Sequence, residues 1–273
     1  MNIYEHITKF YEGRKEEKKT LEKTEFGRTM YALKAGTGSP VGIAIYAIHG
    51  REYITAKLAI AQFLRGVERG SCWFLPLVNP DGALLSETGV SSAPAWAQEA
   101  LTRLNGGRDF SLWKANGRGV DLNVNFPARW AKGVKNVRTA GSENYVGERP
   151  CSEAETRALC AFTKKICPDY TVSYHTKGEE IYWRFHQSLQ EEKRDLRLAE
   201  CLSEATGYPL KEAKGSVGGY KDWCIERLKI PAFTIEVGKD EYAHPLGEDA
   251  LEEIVAKNVD AIYALSGRIE CKN

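Results

Sequence analysis

Hydrophobic positions along the chain follow two rhythms. Short unbroken apolar runs bounded by Gly, Pro, Asn or Ser read as buried strands, and longer segments with apolar residues three and four apart read as helices. Val41 to Ile48 is one such strand, ended by His49-Gly50. Tyr53 to Leu64 follows with Ile54, Leu58, Ile60, Ala61 and Leu64 at helical spacing. Ser71–Val78, Tyr170–Tyr174 and Ile230–Val237 predict three more interior strands. The spacing predicts further helices from Gln187 to Gly207 and from Glu248 to Leu265. Another runs from Ser152 to Lys164, with Ser152 as N-cap and Glu155 closing a capping box. Residues 1–20 read as a charged amphipathic helix. Thr24–Leu33 and the turn Gly36–Pro40 read as a hairpin leading into the strand at 41–48. Asn79-Pro80-Asp81-Gly82 reads as a turn, and residues 85–118 as a long loop with one short helix near Ala95–Leu104. Strands and helices alternate with no repeat, low-complexity tract or linker, so residues 1–273 are expected to form a single α/β domain.

Three of the predicted strands end in polar residues that are costly to bury alone. His49 and Glu52 follow the first, where a His and a Glu three residues apart can face one cation. His175 follows Ser173-Tyr174. Glu236 interrupts the apolar run Phe233–Val237, which suits a carboxylate facing a cavity with a cation or a water to activate. Strand ends are where open α/β sheets carry their chemistry. Two histidines and a glutamate leave a fourth position on zinc for water, and a separate glutamate then serves as general base.

Composition narrows the partners. The net charge of +1 gives no field that favours nucleic acid or an anionic membrane, and no apolar stretch approaches the ~20 residues of a membrane helix. The first ten residues lack the basic-then-apolar pattern of a secretory leader. Seven cysteines, none in Cys-x-x-Cys spacing, read as reduced thiols, so the expected location is the cytoplasm. His6 and His186 are expected on helix surfaces, and His244 in a loop just past Glu236.

The order His49-x-x-Glu52, His175, Glu236 resembles the zinc carboxypeptidases, the carboxypeptidase A family, over roughly residues 20 to 265. His49-Gly50-Arg51-Glu52-Tyr53-Ile54-Thr55 is similar to the family's first ligand motif. Asn79-Pro80-Asp81-Gly82, Gly119-Val120-Asp121-Leu122-Asn123-Val124-Asn125-Phe126-Pro127 and Gly218-Gly219-Tyr220-Lys221-Asp222-Trp223 resemble its strand-to-loop turn, carboxylate-recognition segment and specificity-pocket segment. Trp113-Lys114-Ala115-Asn116 and the run Ser173 to Trp183 look like a bacterial branch that cleaves the γ-D-glutamyl bond to a diamino acid in peptidoglycan stem peptides. The resemblance implies a mixed central sheet flanked by helices on both faces, and one zinc per chain held by His49, Glu52 and His175. It makes Asp121 the carboxylate that orients the first ligand histidine, and Glu236 the base. Lys114 falls where the family often has an oxyanion arginine, and Arg51 and Asn123 would hold a substrate carboxylate.

The chain departs from the family pattern at Val124, where the family motif Asn-Arg-Asn has its carboxylate-binding arginine. An apolar side chain cannot replace that bidentate fork. Arg51, Arg118, Lys177 or Arg184 could substitute for it, and Tyr220 stands near the substrate segment. Lys214 occupies the position of the family's mobile tyrosine. The expected function is hydrolysis of the γ-D-glutamyl–diamino acid bond of a muropeptide. Alternatives are an ordinary zinc carboxypeptidase, an N-acyl-amino-acid deacylase, or a zinc-containing muropeptide-binding protein that turns over weakly because of Val124.

Overall fold

The computed structural model describes residues 1–213 and 215–269, so Lys214 and Cys271 lie outside the described residues. Eight strands form one mixed sheet: β1 (Lys18–Lys23), β2 (Thr29–Gly36), β3 (Val41–Tyr46), β4 (Ser71–Leu75), β5 (Tyr170–His175), β6 (Glu180–Tyr182), β7 (Leu210–Lys211) and β8 (Ala232–Glu236). Their order across the sheet is β1-β2-β4-β3-β5-β8-β6-β7. The central four, β4-β3-β5-β8, run parallel. Parallel strands are buried on both faces, which is why they read as nearly continuous apolar runs.

Side chains of β3 alternate between two cores. Ala44 and Tyr46 face a cluster with Leu58, Phe63, Leu198, Leu202, Ile262 and Leu265 from helices Thr55–Arg65, Leu189–Thr206 and Ala261–Arg268. Ile43 and Ile45 face Trp73, Leu159, Phe162 and Trp223, with helix Ala154–Ile166 on that side. Helices therefore cover both faces of the sheet.

Chain direction across the sheet decides where the chemistry sits. From β3 the chain crosses to β4 on one side, and from β5 it reaches β8 on the other. The crevice at the carboxyl ends of β3 and β5 is thus the point where the strand order reverses, the usual ligand position in such sheets.

Several local expectations change. The first helix spans only Ile3–Glu12. The charged run beyond it becomes β1 at the sheet edge, where charge discourages further pairing. The hairpin is β1 with β2; β2 and β3 are separated by β4, which pairs with both. Asn79-Pro80-Asp81-Gly82 starts a helix, Pro80–Thr88, with Asn79 Oδ1 accepting the Gly82 N–H at 2.9 Å and proline in the first turn. Its residues 80–86 are all buried, so no polar stripe marked it as a helix. Helix Ala154–Ile166 has Glu153 rather than Ser152 as its N-cap and lacks a side-chain cap. Ser152 Oγ instead donates to Glu153 Oε1 at 2.6 Å. The last predicted helix breaks into Leu251–Asn258 and Ala261–Arg268, and His186 sits in a loop.

Candidate metal centre and active site

His49 lies three residues beyond β3, in a tight turn rather than in the helix proper: Gly50–Glu52 form a single 3₁₀ turn before Thr55–Arg65 begins. Two groups hold the turn. The Thr55 hydroxyl accepts the Ala47 N–H at 2.9 Å and donates to the Glu52 carbonyl at 2.8 Å. Ala47 itself has φ +48°, a conformation that costs an L-residue energy and persists here because both neighbours fix it. Gly50 is required by contact, since a Cβ there would meet the Gly82 carbonyl oxygen at 2.4 Å. Its N–H donates to the Lys114 carbonyl at 3.0 Å, which brings the Lys114 segment against the turn.

Sheet register does the rest. His175 is the last residue of β5 and Glu236 the last of β8, and the two are direct partners across the parallel pair. His49, Glu52 and His175 are all buried, and their ligand atoms lie within 4.8 Å of one another. His49 Nδ1 is 2.9 Å from Glu52 Oε1, and His175 Nδ1 is 3.0 Å from Glu52 Oε2 and 3.1 Å from His49 Nδ1. Two imidazole nitrogens and a carboxylate converge on one point. A tetrahedral zinc with ligands at ~2.0–2.1 Å has donor atoms about 3.3 Å apart, so this triad fits zinc in both ligand type and spacing. The Nε2 atoms of both His49 and His175 are buried without a hydrogen-bond partner, and each ring turns its Nδ1 to the shared point.

Charges around the triad interlock. Asp121 Oδ1 is 3.3 Å from His49 Nε2, and Asp121 Oδ2 is 3.0 Å from Lys114 Nζ. Burial alone would raise the Asp121 pKa, but Lys114 and His49 outweigh it and hold the carboxyl far below its usual range. Glu52 behaves alike: burial pushes up, His49 and His175 pull further down. Burial disfavours the charge on Lys114, yet Asp121 and Glu52 raise its pKa. Glu236 moves the other way. Burial pushes it up to about 7, His175 opposes and Glu52 reinforces the shift. A carboxyl poised near neutrality beside a cation site is what a proton shuttle requires. His244 borders the triad, with Nδ1 3.4 Å from Thr176 Oγ1, and burial lowers it to about 4.

The other expected substrate contacts divide. Asn123 lines a cavity with Glu236, and its Oδ1 accepts the Tyr220 N–H at 3.1 Å. Arg51 is partly exposed, with Nη1 3.7 Å from Glu143 and 3.5 Å from the Leu112 carbonyl. Val124 is buried, its backbone packed against Gly218. Arg118 is drawn to Glu153 at 3.5 Å and Glu25 at 3.9 Å, and neither it nor Arg51 is in the wall of the Asn123–Glu236 cavity. Tyr220 cannot touch substrate: it is fully buried between Phe126 and Trp223, with its hydroxyl 2.8 Å from Thr163 Oγ1. The neighbouring Lys221, with Tyr182 and Thr234, lines the cavity instead. Only the Gly-Gly segment hinted at Lys221; nothing in the sequence marked Tyr182 or Thr234.

Known proteins resemble this chain in sequence and fold. The chain is 32% identical over 222 residues to a gamma-D-glutamyl-L-diamino acid endopeptidase of Lysinibacillus sphaericus, a match covering 74% of this chain and 55% of that protein. It is 36% identical over 132 residues to murein peptide amidase A of Escherichia coli, covering 45% of this chain and 50% of the relative. The chain thus spans only about half the length of these two relatives. Its fold matches bovine thrombin-activatable fibrinolysis inhibitor, solved in complex with tick carboxypeptidase inhibitor, with a TM-score of 0.78 at 18% identity over 98% of this chain and 97% of that one. The zinc carboxypeptidase profile matches residues 14–261, so the chain belongs to the zinc carboxypeptidase family.

Proposed function

We propose that this chain is a zinc peptidase that hydrolyses the γ-D-glutamyl–diamino acid bond of a muropeptide. The observation that carries the chemistry is the pairing of Glu236 with His175 across β5 and β8, which sets a carboxyl of raised pKa beside the triad and in the wall of a cavity. The likeness to the L. sphaericus endopeptidase supports the choice of bond.

Roles follow from position. His49, Glu52 and His175 hold the metal. Zinc bound there supplies a Lewis acid that polarises the scissile carbonyl and acidifies a water. Glu236 takes the proton of the attacking water and returns it to the departing amine, a shuttle that its burial-raised pKa favours. Asp121, whose Oδ1 stands 3.3 Å from His49 Nε2, orients the ring of His49 by its charge. Lys114, anchored on Asp121, offers its ammonium to the oxygen on which negative charge develops. Arg51 and Asn123 hold a substrate carboxylate in place of the arginine that Val124 replaces. The partner is a small peptide. Among the described residues no helix is long and apolar enough to cross a membrane.

The test is mass-spectrometric product analysis of L-Ala-γ-D-Glu-diaminopimelate and its α-linked isomer with zinc-loaded protein. The expected result is release of diaminopimelate from the γ-linked peptide, slowed roughly 10²–10⁴-fold in Glu236→Gln. Preference for the α-linked isomer would make the chain an ordinary carboxypeptidase. Tight zinc and ligand binding with no product would make it a binding protein.

A further inference from the structure

Two cysteines far apart from the peptidase chemistry touch each other. The Sγ atoms of Cys151 and Cys160 are 3.6 Å apart. Cys160 projects from helix Ala154–Ile166 and is 8% exposed. Cys151 lies three residues ahead of that helix and is partly exposed. Neither belongs to the zinc triad or to the wall of the Glu236 cavity.

The pair is unequal. The hydrogen bond from the Cys160 thiol lowers the Cys151 pKa, burial opposes it, and the charges of Lys164, Arg149 and Arg157 reinforce it. The same bond, together with burial, raises the pKa of Cys160. Cys151 is therefore the thiolate side of the pair and the side a small solute can reach. The thiolate is the reactive form of cysteine. An accessible thiolate with a second thiol in contact is the arrangement that oxidants close to a disulfide.

We propose that Cys151 and Cys160 form a peroxide-sensitive dithiol, with Cys151 attacking and Cys160 resolving, that closes to a reversible disulfide. The oxidant is a hydroperoxide. The Cys151 thiolate attacks the O–O bond of hydrogen peroxide; an S–O bond forms and hydroxide leaves. The Cys160 sulfur then attacks the sulfenic sulfur. The S–S bond forms, the S–O bond breaks, and the departing hydroxide takes the Cys160 proton and leaves as water. The two cysteines lose two electrons and the peroxide is reduced to water. A dithiol reductant reopens the bridge by exchange.

The bridge fastens a loop that supports the substrate side of the fold. The Cys151 N–H donates to the Asn125 carbonyl at 2.7 Å. Asn125 Nδ2 donates to the Val146 and Arg149 carbonyls at 2.7 and 3.1 Å, and the Thr156 hydroxyl donates to Asn125 Oδ1 at 2.7 Å. Asn125 thus ties this loop to helix Ala154–Ile166, two residues beyond Asn123 in the cavity wall. The disulfide adds a covalent tie between the same two elements.

The experiment treats the zinc-loaded protein with hydrogen peroxide and maps its cysteines by mass spectrometry. Trypsin cuts after Arg157, between the two cysteines, so the bridge appears as a linked peptide pair. The pair is expected to form roughly tenfold or more faster than the exposed Cys167 is oxidised, and to vanish with dithiothreitol. Cys160→Ser should instead accumulate sulfinic acid at Cys151. The bridged protein should melt about 5 °C above the reduced one, because the bridge restricts the unfolded chain. A wild-type Cys151 that stays a thiol while Cys167 oxidises overturns the proposal without calling on any variant. Oxidised Cys151 with no linked peptide also overturns it, since Cys160 then resolves nothing. An unchanged or lowered melting temperature overturns the fastening of the loop. None of these readouts depends on which bond the chain hydrolyses.

Discussion

Two buried polar clusters, one around Asn116 and one around Glu52, differ in where their lone pairs point. In the first, Asp81 Oδ1 takes Arg28 Nη1 at 2.7 Å and Asp81 Oδ2 takes the Phe26 N–H at 3.0 Å. Glu153 takes Asn116 Nδ2 at 2.9 Å, and Glu155 faces the same amide at 3.3 Å. Each carboxylate meets a donor from the protein, and the surplus negative charge is relieved by protonation. Burial, reinforced by Asp81 and Glu153, pushes Glu155 up to about 8. In the second cluster, His49 Nδ1, His175 Nδ1 and the Glu52 carboxylate face one another at 2.9–3.1 Å. The first cluster is complete as protein. The second is completed by a cation. Both are buried and both hold carboxylate, so neither burial nor the presence of charge distinguishes scaffold from chemistry. The direction of the acceptors does.

That contrast breaks if either cluster behaves like the other. The largest effect should come from His175→Ala, which removes a donor from the triad. Zinc affinity is expected to fall more than roughly a hundredfold, beyond the 10–100-fold typical of losing a group that merely orients a ligand. Peptidase activity should fall to background with it. Glu153→Gln should bind zinc as the wild type does, measured by metal analysis after dialysis against a graded chelator. Zinc binding in His175→Ala within about tenfold of wild type would erase the distinction.

Arg28→Met addresses the other cluster. Removing one partner strands Asp81, which is fully buried. Urea unfolding should show a loss of about 3 kcal/mol, with zinc stoichiometry unchanged. A loss of zinc without a loss of stability would mean the two clusters are a single unit.

The smallest effect, read per pH unit, is the pH dependence that Glu155 contributes. Between its ordinary value of 4.5 and about 8, the folded chain holds a proton on Glu155 that the unfolded chain has released. The unfolded state then binds fewer protons, so this contribution to stability falls as pH rises. It is full below about 4.5 and lost by about 8. The slope approaches about 1.4 kcal/mol per pH unit in mid-window. Melting curves of wild type and Glu155→Gln from pH 5 to 8 should diverge, with the wild type losing ground as pH rises. Parallel curves would place Glu155 ionised in the folded protein.

Sequence and structure agree most closely where a residue's chemistry conflicts with its local pattern. His49, His175 and Glu236 each stand at the end of an apolar run, and a polar residue in that position needs a partner or a cavity. They disagree where the local pattern is silent. The helix Pro80–Thr88 is buried on all sides over residues 80–86, so its sequence carries no stripe. Tyr220 and Lys221 are adjacent, and nothing local tells which faces the cavity. The structure turns the tyrosine into the core and places the lysine in the wall.

By itself the chain determined an α/β alternation, the residue types waiting at the strand ends, and the absence of an arginine at position 124. Those are properties of near neighbours, set by side-chain periodicity and by the cost of burying a polar group. Tertiary structure alone decided that His49 and His175, 126 residues apart, meet at one point, and that Glu236 stands beside them by register. It also decided that Arg118 stands 3.5 Å from Glu153 and that Lys221 borders the cavity. Strand order and register are fixed by crossovers and by two cores filled from distant segments. No local stretch of sequence contains that information.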